Sequence, residues 1–263
     1  MQRVALGVYL EAVTVAKLLL SVQGLTKKFG GVKALSAVGM DVKQGSIHAV
    51  IGPNGAGKTT LINLITGRQR ADSGRIWYCG GTIDNLSSEA RARHGIVRTF
   101  QITSIFPSFS ALDNAVLAIQ AREGRNFGCW SPVRDDKGIQ VSAREYLVQV
   151  GLGDHEDTHA AHLSHGQRRL LELAMVLATQ PRLLILDEPM AGLSIAESKS
   201  MVELLGALKC ENTLLMIEHD MDVVFSLADY VTVLDRGVAI ACGVPEKIRS
   251  DIAVQKAYLG EVD

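Results

Sequence analysis

The chain has 263 residues, a formal net charge of −1 and 47% hydrophobic residues, enough to bury a full core and without electrostatic pull toward nucleic acid. Its four cysteines (Cys79, Cys129, Cys210, Cys242) are widely spaced and form no C-x-x-C pair, which suits unpaired thiols in a reducing compartment rather than a disulfide framework or a zinc site. No uncharged apolar run reaches the ~18 residues a membrane span needs.

Residues 1–17 are fairly apolar and carry Arg3, but Glu11 interrupts the run; they read as an N-terminal extension, a short helix or the product of an upstream start codon, rather than a signal peptide. Residues 18–25 alternate in part and predict a strand, followed by a turn at Lys27-Lys28-Phe29-Gly30-Gly31. Residues 38–42 predict a second strand and residues 47–51 a buried third, with a helix at 60–66. A small hairpin is expected around residues 75–78 and Gly80-Gly81, and the basic cluster Arg91, Arg93 and Arg98 reads as a solvated face. From Gln101 to about Glu172 the pattern is helical, clearest at 112–121 and 143–150, with an exposed Gly-, Asn- and Pro-containing loop at 124–138. His155, His159, His162 and His165 invite a metal reading, yet no cysteine is near and surface-loop histidines account for them. A helix at 168–178 follows, then alternation: strand 183–186, helix 196–208, strand 213–217, helix 221–228 and strand 230–234. Strands alternating with helices indicate a parallel α/β core, here interrupted by a helical insertion.

The strand at 47–51 runs into Gly52-Pro53-Asn54-Gly55-Ala56-Gly57-Lys58-Thr59, which fits G-x-x-x-x-G-K-[ST] between a strand and a helix. Glycines let backbone N–H groups wrap a polyphosphate, and the helix N-terminus beyond favours the same anion. Lys58 is expected on the β- and γ-phosphates and the Thr59 hydroxyl on Mg²⁺; the cradle extends from Gly52 through Thr60. Asp187 ends an apolar strand, so its carboxylate emerges at the carboxyl edge of the sheet, where it can hold Mg²⁺. Glu188, pointing elsewhere, is left to polarise an attacking water as general base.

Further motifs stand in a fixed order: the lone Gln101, then Leu163-Ser164-His165-Gly166-Gln167, then the strand ending in Asp187-Glu188-Pro189, then Ile217-Glu218-His219-Asp220. Together with the phosphate loop this order resembles the ATP-binding cassette of ABC transporters, over 18–263. The resemblance implies a P-loop NTPase (RecA-like) α/β core with an antiparallel β subdomain and an inserted α-helical subdomain at about 101–172. It also implies that Gln101 reaches Mg²⁺ and the attacking water where the cassette meets its membrane partner, and that His219 contacts the γ-phosphate. A buried, satisfied histidine is the rival reading of His219. Phe29 stands where family members stack an aromatic on adenine, with core packing as the rival. Ser164, Gly166 and Gln167 would complete the ATP site of an opposing cassette; Ser164 also suits an ordinary helix N-cap.

Two positions depart from the commonest family pattern: His165 replaces a glycine and Ser194 an aspartate. Residues 98–103 with Phe106-Pro107, residues 190–194, 243–248 and 257–260 look closest to the ATP-binding subunits of branched-chain (hydrophobic) amino acid importers. A urea or amide importer shares much of this texture. A soluble ABC ATPase of repair or translation would carry two cassettes or long insertions, which this chain lacks. The implied assembly is a head-to-tail pair of cassettes, alike or different, on two transmembrane permeases at the cytoplasmic face of the membrane. An extracytoplasmic solute-binding protein would deliver the substrate.

Overall fold

The computed structural model describes residues 17–99, 105–123, 137–209 and 211–259. Gln101, the extension before Lys17 and most of the expected 124–138 loop lie outside these residues.

The described chain runs β1 (Leu18–Phe29), β2 (Val32–Lys43), β3 (Ile47–Ile51), α1 (Lys58–Ile65), β4 (Ser73–Tyr78), β5 (Gly81–Thr82), α2 (Ser88–Arg93) and β6 (Ile96–Arg98). It continues with α3 (Ala111–Glu123), α4 (Lys137–Gln149), α5 (His165–Ala178), β7 (Leu183–Asp187), α6 (Ile195–Leu208), β8 (Thr213–Ile217), α7 (Met221–Leu227), β9 (Tyr230–Asp235), β10 (Val238–Gly243), α8 (Pro245–Arg249) and α9 (Ile252–Leu259).

Two sheets form the frame. One is antiparallel in the order β2-β1-β4-β5; the other has the order β10-β9-β3-β8-β7-β6, parallel except for β10. The central parallel strands β3, β7 and β8 are mostly apolar because both of their faces are covered. Side chains alternate between faces, so Leu184 and Leu186 of β7, with Leu214 and Met216 of β8, enter the core shared with α3, α4, α5 and α6. Their neighbours Leu183, Ile185, Leu215 and Ile217 enter a second core with α1 and the antiparallel sheet. His48 of β3 is fully buried among them; its Nε2 lies 2.8 Å from Thr232 Oγ1, and burial pushes its pKa down to about 4.

Several expectations are corrected. The turn expected at 27–31 shrinks to Gly30-Gly31: Lys27, Lys28 and Phe29 belong to β1, and Phe29 pairs with Val32 across the hairpin. Helix α4 begins at Lys137, inside the expected loop, with Ile139 buried in its first turn. Helix α5 begins at His165, three residues early, because Ser164 caps it. The solvated-face reading holds for Arg93 alone. Arg91, 3% exposed, donates to the carbonyls of Leu64 and Ile65 that end α1, at 2.6 and 2.8 Å, and Arg98 is buried at the site described next. β6, β10, α2, α8 and α9 had no counterpart in the sequence reading. They are short, three to eight residues each; β6 pairs with the distant β7, whereas β10 folds back on β9 directly before it.

Candidate nucleotide site

The loop from Gly52 to Gly57 leaves the end of β3, with Gly52, Gly55 and Gly57 all at positive φ (149°, 81° and 104°). Two of these glycines are dictated by neighbours as well as by conformation. A Cβ on Gly52 would stand 2.1 Å from the Leu234 carbonyl oxygen, and one on Gly57 would stand 2.6 Å from that of Ala34. The turn between β9 and β10 holds the loop from below: Gly237 donates to Ala56 O at 3.0 Å and accepts from Ser36 N at 2.8 Å. The phosphate loop is thus built against β2 and β9, with α1 starting at its end.

Lys58 folds back over this loop, donating from Nζ to Gly52 O at 2.6 Å and Pro53 O at 3.1 Å. Burial lowers its pKa, opposed by the nearby carboxylates of Glu188 and Asp187. Thr59 is exposed on the first turn of α1, and Thr60 is half-buried beside it. Pro53, Asn54, Gly55 and Ala56 also line a hollow of about 580 Å³ with α9.

Asp187 closes β7 at the carboxyl edge of the sheet, as expected. Its carboxylate takes a hydrogen bond from Arg98, whose other amino group donates to Asn63 Oδ1 on α1 at 2.8 Å. The Arg98 side chain is 3% exposed, and burial lowers its pKa while Asp187 raises it. Glu188 adopts φ +49°, an unusual value for a residue with a Cβ, and donates its N–H to Ile217 O at 3.0 Å. That turn separates its side chain from that of Asp187 and leaves it half-exposed. His219 Nδ1 lies 4.0 Å from Glu188 Oε1. With its side chain 67% exposed, His219 is not the buried, satisfied histidine of the rival reading. Phe29 is 46% exposed at the tip of the β1–β2 hairpin, so it is not core packing either, and Lys27 Nζ stands 5.5 Å from its ring centroid.

The signature segment is organised differently. Ser164 Oγ accepts from Gln167 N–H at 3.2 Å, and Ser164 N–H donates to Gln167 Oε1 at 2.9 Å, a reciprocal cap. Gln167 Nε2 donates to His155 Nε2 at 2.8 Å, which gives that histidine a packing role. Gly166 lies against the end of the Glu197 side chain: a Cβ there would meet Glu197 Oε1 at 2.2 Å, so that carboxylate would have to swing aside. The two departures from the family pattern meet in this region: the His165 ring packs on Gly192, and Ser194 caps α6 through Glu197. Ser194 N–H and Oγ–H both donate to Glu197 Oε2, at 2.9 and 2.7 Å. The hydrogen bonds from Ser194 lower the pKa of Glu197.

Sequence reading missed three contributors: Arg98, Glu218 and the Leu234–Gly237 turn. Glu218 stands in the Ile217-Glu218-His219-Asp220 motif without an expected role; it is 1% exposed and accepts from the Met190 N–H after Glu188 and from the His219 N–H. The signal for Arg98 was its position just before Gln101, which composition alone turned into a surface charge.

Residues 35–191 match the ABC transporter family. The chain is 39% identical over 250 residues to the high-affinity branched-chain amino acid transport ATP-binding protein BraF of Pseudomonas aeruginosa, covering 92% of this chain and 98% of that protein. It is 38% identical over 250 residues to the probable branched-chain amino acid transport ATP-binding protein LivG of Archaeoglobus fulgidus, covering 93% and 96%. In three dimensions it resembles an ATP-binding cassette of an ABC transporter solved in its ADP conformation. There the TM-score is 0.82 at 31% identity, covering 93% of this chain and 100% of that one. A glycine loop set against a parallel sheet, an Asp-Glu edge and a capped signature helix therefore agree with the sequence comparisons, and the chain belongs to the ABC transporter family.

Proposed function

We propose that this chain binds and hydrolyses ATP to power a membrane importer of branched-chain amino acids, working at the cytoplasmic face of the membrane. The observation that carries this reading is the convergence of Lys58, Asp187, Glu188 and His219 beside the glycine loop. The ATP-binding relatives transport branched-chain amino acids by name, and they cover almost the whole chain. Among the described residues no helix is long and apolar enough to cross a membrane; in this reading two permease subunits, fed by a solute-binding protein, carry the substrate across.

In this reading the amides from Gly52 to Thr60 and the Lys58 ammonium hold the phosphates, and Phe29 offers its exposed ring to adenine. Thr59 and Asp187 would hold Mg²⁺. Their donors are oxygens, as a hard cation requires, and the Asp187 carboxylate already answers a cation in Arg98. Such an ion, when bound, would neutralise phosphate charge. Glu188 draws a proton from the attacking water, and His219 lies beside it to contact the γ-phosphate. Gln101, outside the described residues, keeps its proposed part in metal contact and coupling. Ser164, Gly166 and Gln167 serve the nucleotide of a facing cassette.

Glu188→Gln tests the reading in the assembled transporter. ATP hydrolysis and leucine uptake should both fall by about 10²- to 10⁴-fold, with ATP affinity kept. Turnover at the wild-type rate would remove Glu188 from the mechanism, and intact ATPase without any effect of leucine would remove the proposed solute.

A further inference from the structure

Glu218 follows β8 directly, and its side chain is among the most enclosed acidic groups described, at 1% exposure. A carboxylate so far from water needs donors. Its hydrogen bonds come from main-chain amides of two loops: Met190 N–H to Oε1 at 3.1 Å, His219 N–H to Oε2 at 3.0 Å and Asp220 N–H to Oε2 at 3.5 Å. Met190 lies two residues beyond Glu188 on the loop after β7. His219 belongs to the loop after β8. The residue before Glu218 completes the seam, since Ile217 O accepts the Glu188 N–H at 3.0 Å. The Glu188 carbonyl then accepts from Ala191 N at 3.1 Å, which closes its own turn.

We propose that Glu218 is a positioning residue that locks the loop carrying Glu188 to the loop carrying His219. The proposal rests on the reading of those two side chains as base and γ-phosphate contact. The chemistry demands a carboxylate. Both oxygens face N–H donors from different loops, so each must accept. An amide has one accepting oxygen, and its NH₂ would oppose a backbone N–H. One of the two loops would then lose its anchor. Neither loop belongs to the phosphate cradle, so ATP binding should be spared.

The test compares steady-state ATPase kinetics of wild type, Glu218→Asp and Glu218→Gln in the full chain, with ATP affinity measured separately. The Gln variant should lose roughly 10- to 100-fold in kcat, as expected for a displaced reacting group, while KM for ATP stays within about twofold. Glu218→Asp keeps two acceptors on a shorter stem; its kcat should fall between the other two, again without a change in KM. It decides alone if the Gln variant does not fold. Wild-type kcat in either variant, or a loss of ATP affinity that parallels the loss of kcat, would overturn the positioning role. Wild-type chain that, assembled with its partner cassette, binds ATP without hydrolysing it would instead defeat the reading of Glu188 and His219 themselves.

Discussion

The phosphate loop and the signature segment are both glycine-bearing turns at the start of a helix, yet the chain treats them in opposite ways. The phosphate loop is held from several directions by its own fold: the carbonyls of Leu234 and Ala34 crowd Gly52 and Gly57, and Gly237 bonds Ala56. Lys58 lies back on the loop, close to the two carboxylates it would share with a nucleotide. Ser164 is exposed, and among the described residues its hydrogen bonds stay within its own helical turn. From outside, the segment is touched by Glu197 beside Gly166, His155 on Gln167 and Gly192 under the His165 ring. The contrast teaches that one element is a finished receptor inside one chain. The other is a satisfied helix start with Ser164 exposed, as the proposed role toward a facing cassette requires.

The comparison can be broken first at the phosphate loop. Gly57→Ala places a Cβ against Ala34 O and Leu35 at a backbone angle that disfavours one. ATP affinity should be lost almost entirely, with a stability cost of about 2–4 kcal/mol for the clash and strain together. Nucleotide titration and chemical unfolding check it. Affinity within a few-fold of wild type would mean that the loop is not pinned as described.

A smaller effect separates the strand beneath the loop from the signature helix. His48 of β3 is neutral when folded: burial lowers its pKa from 6.5 to about 4. Above pH 6.5 neither state binds the proton and this contribution is complete. As pH falls from 6.5 toward 4 the unfolded chain takes up a proton that the folded chain refuses, so stability declines, by on the order of 3 kcal/mol across that window. His48→Gln should flatten this part of the stability curve, measured by denaturant unfolding at several pH values. An unchanged acid limb would show that His48 is accessible or charged in the fold.

How much of this was legible in the sequence follows the range of each interaction. The placement of the phosphate loop between β3 and α1, and of Asp187 and Glu188 at the end of β7, could be read because it is local: fixed spacing and an apolar strand before them. The buried strands were readable from mostly apolar runs, as strands covered on both faces show, with His48 inside β3 the exception. Arg98, Arg91 and Glu218 were opaque for the opposite reason. Arg98 meets Asp187 across 89 positions, Arg91 meets Leu64 across 27, and Glu218 meets Met190 across 28. A cluster of arginines therefore looked like a wet surface when two of its members were buried. Ser164 was read both ways, and the structure realises its cap while leaving its surface free for the other duty.

That other duty is the central claim, and association of the chain in the presence of ATP tests it most directly. In the Glu188→Gln background, where ATP is bound and not consumed, sedimentation should show ATP-dependent pairing of two cassettes. Adding Ser164→Arg sets a bulky cation where the facing γ-phosphate should sit. Its own phosphate loop is untouched, so each monomer should keep ATP affinity within about threefold of the parent while the pairing disappears. If the natural partner is a different cassette, the same measurement is made on the two together. Pairing of undiminished strength with Ser164→Arg present would show that Ser164 only caps its helix, and the composite site would have to be given up.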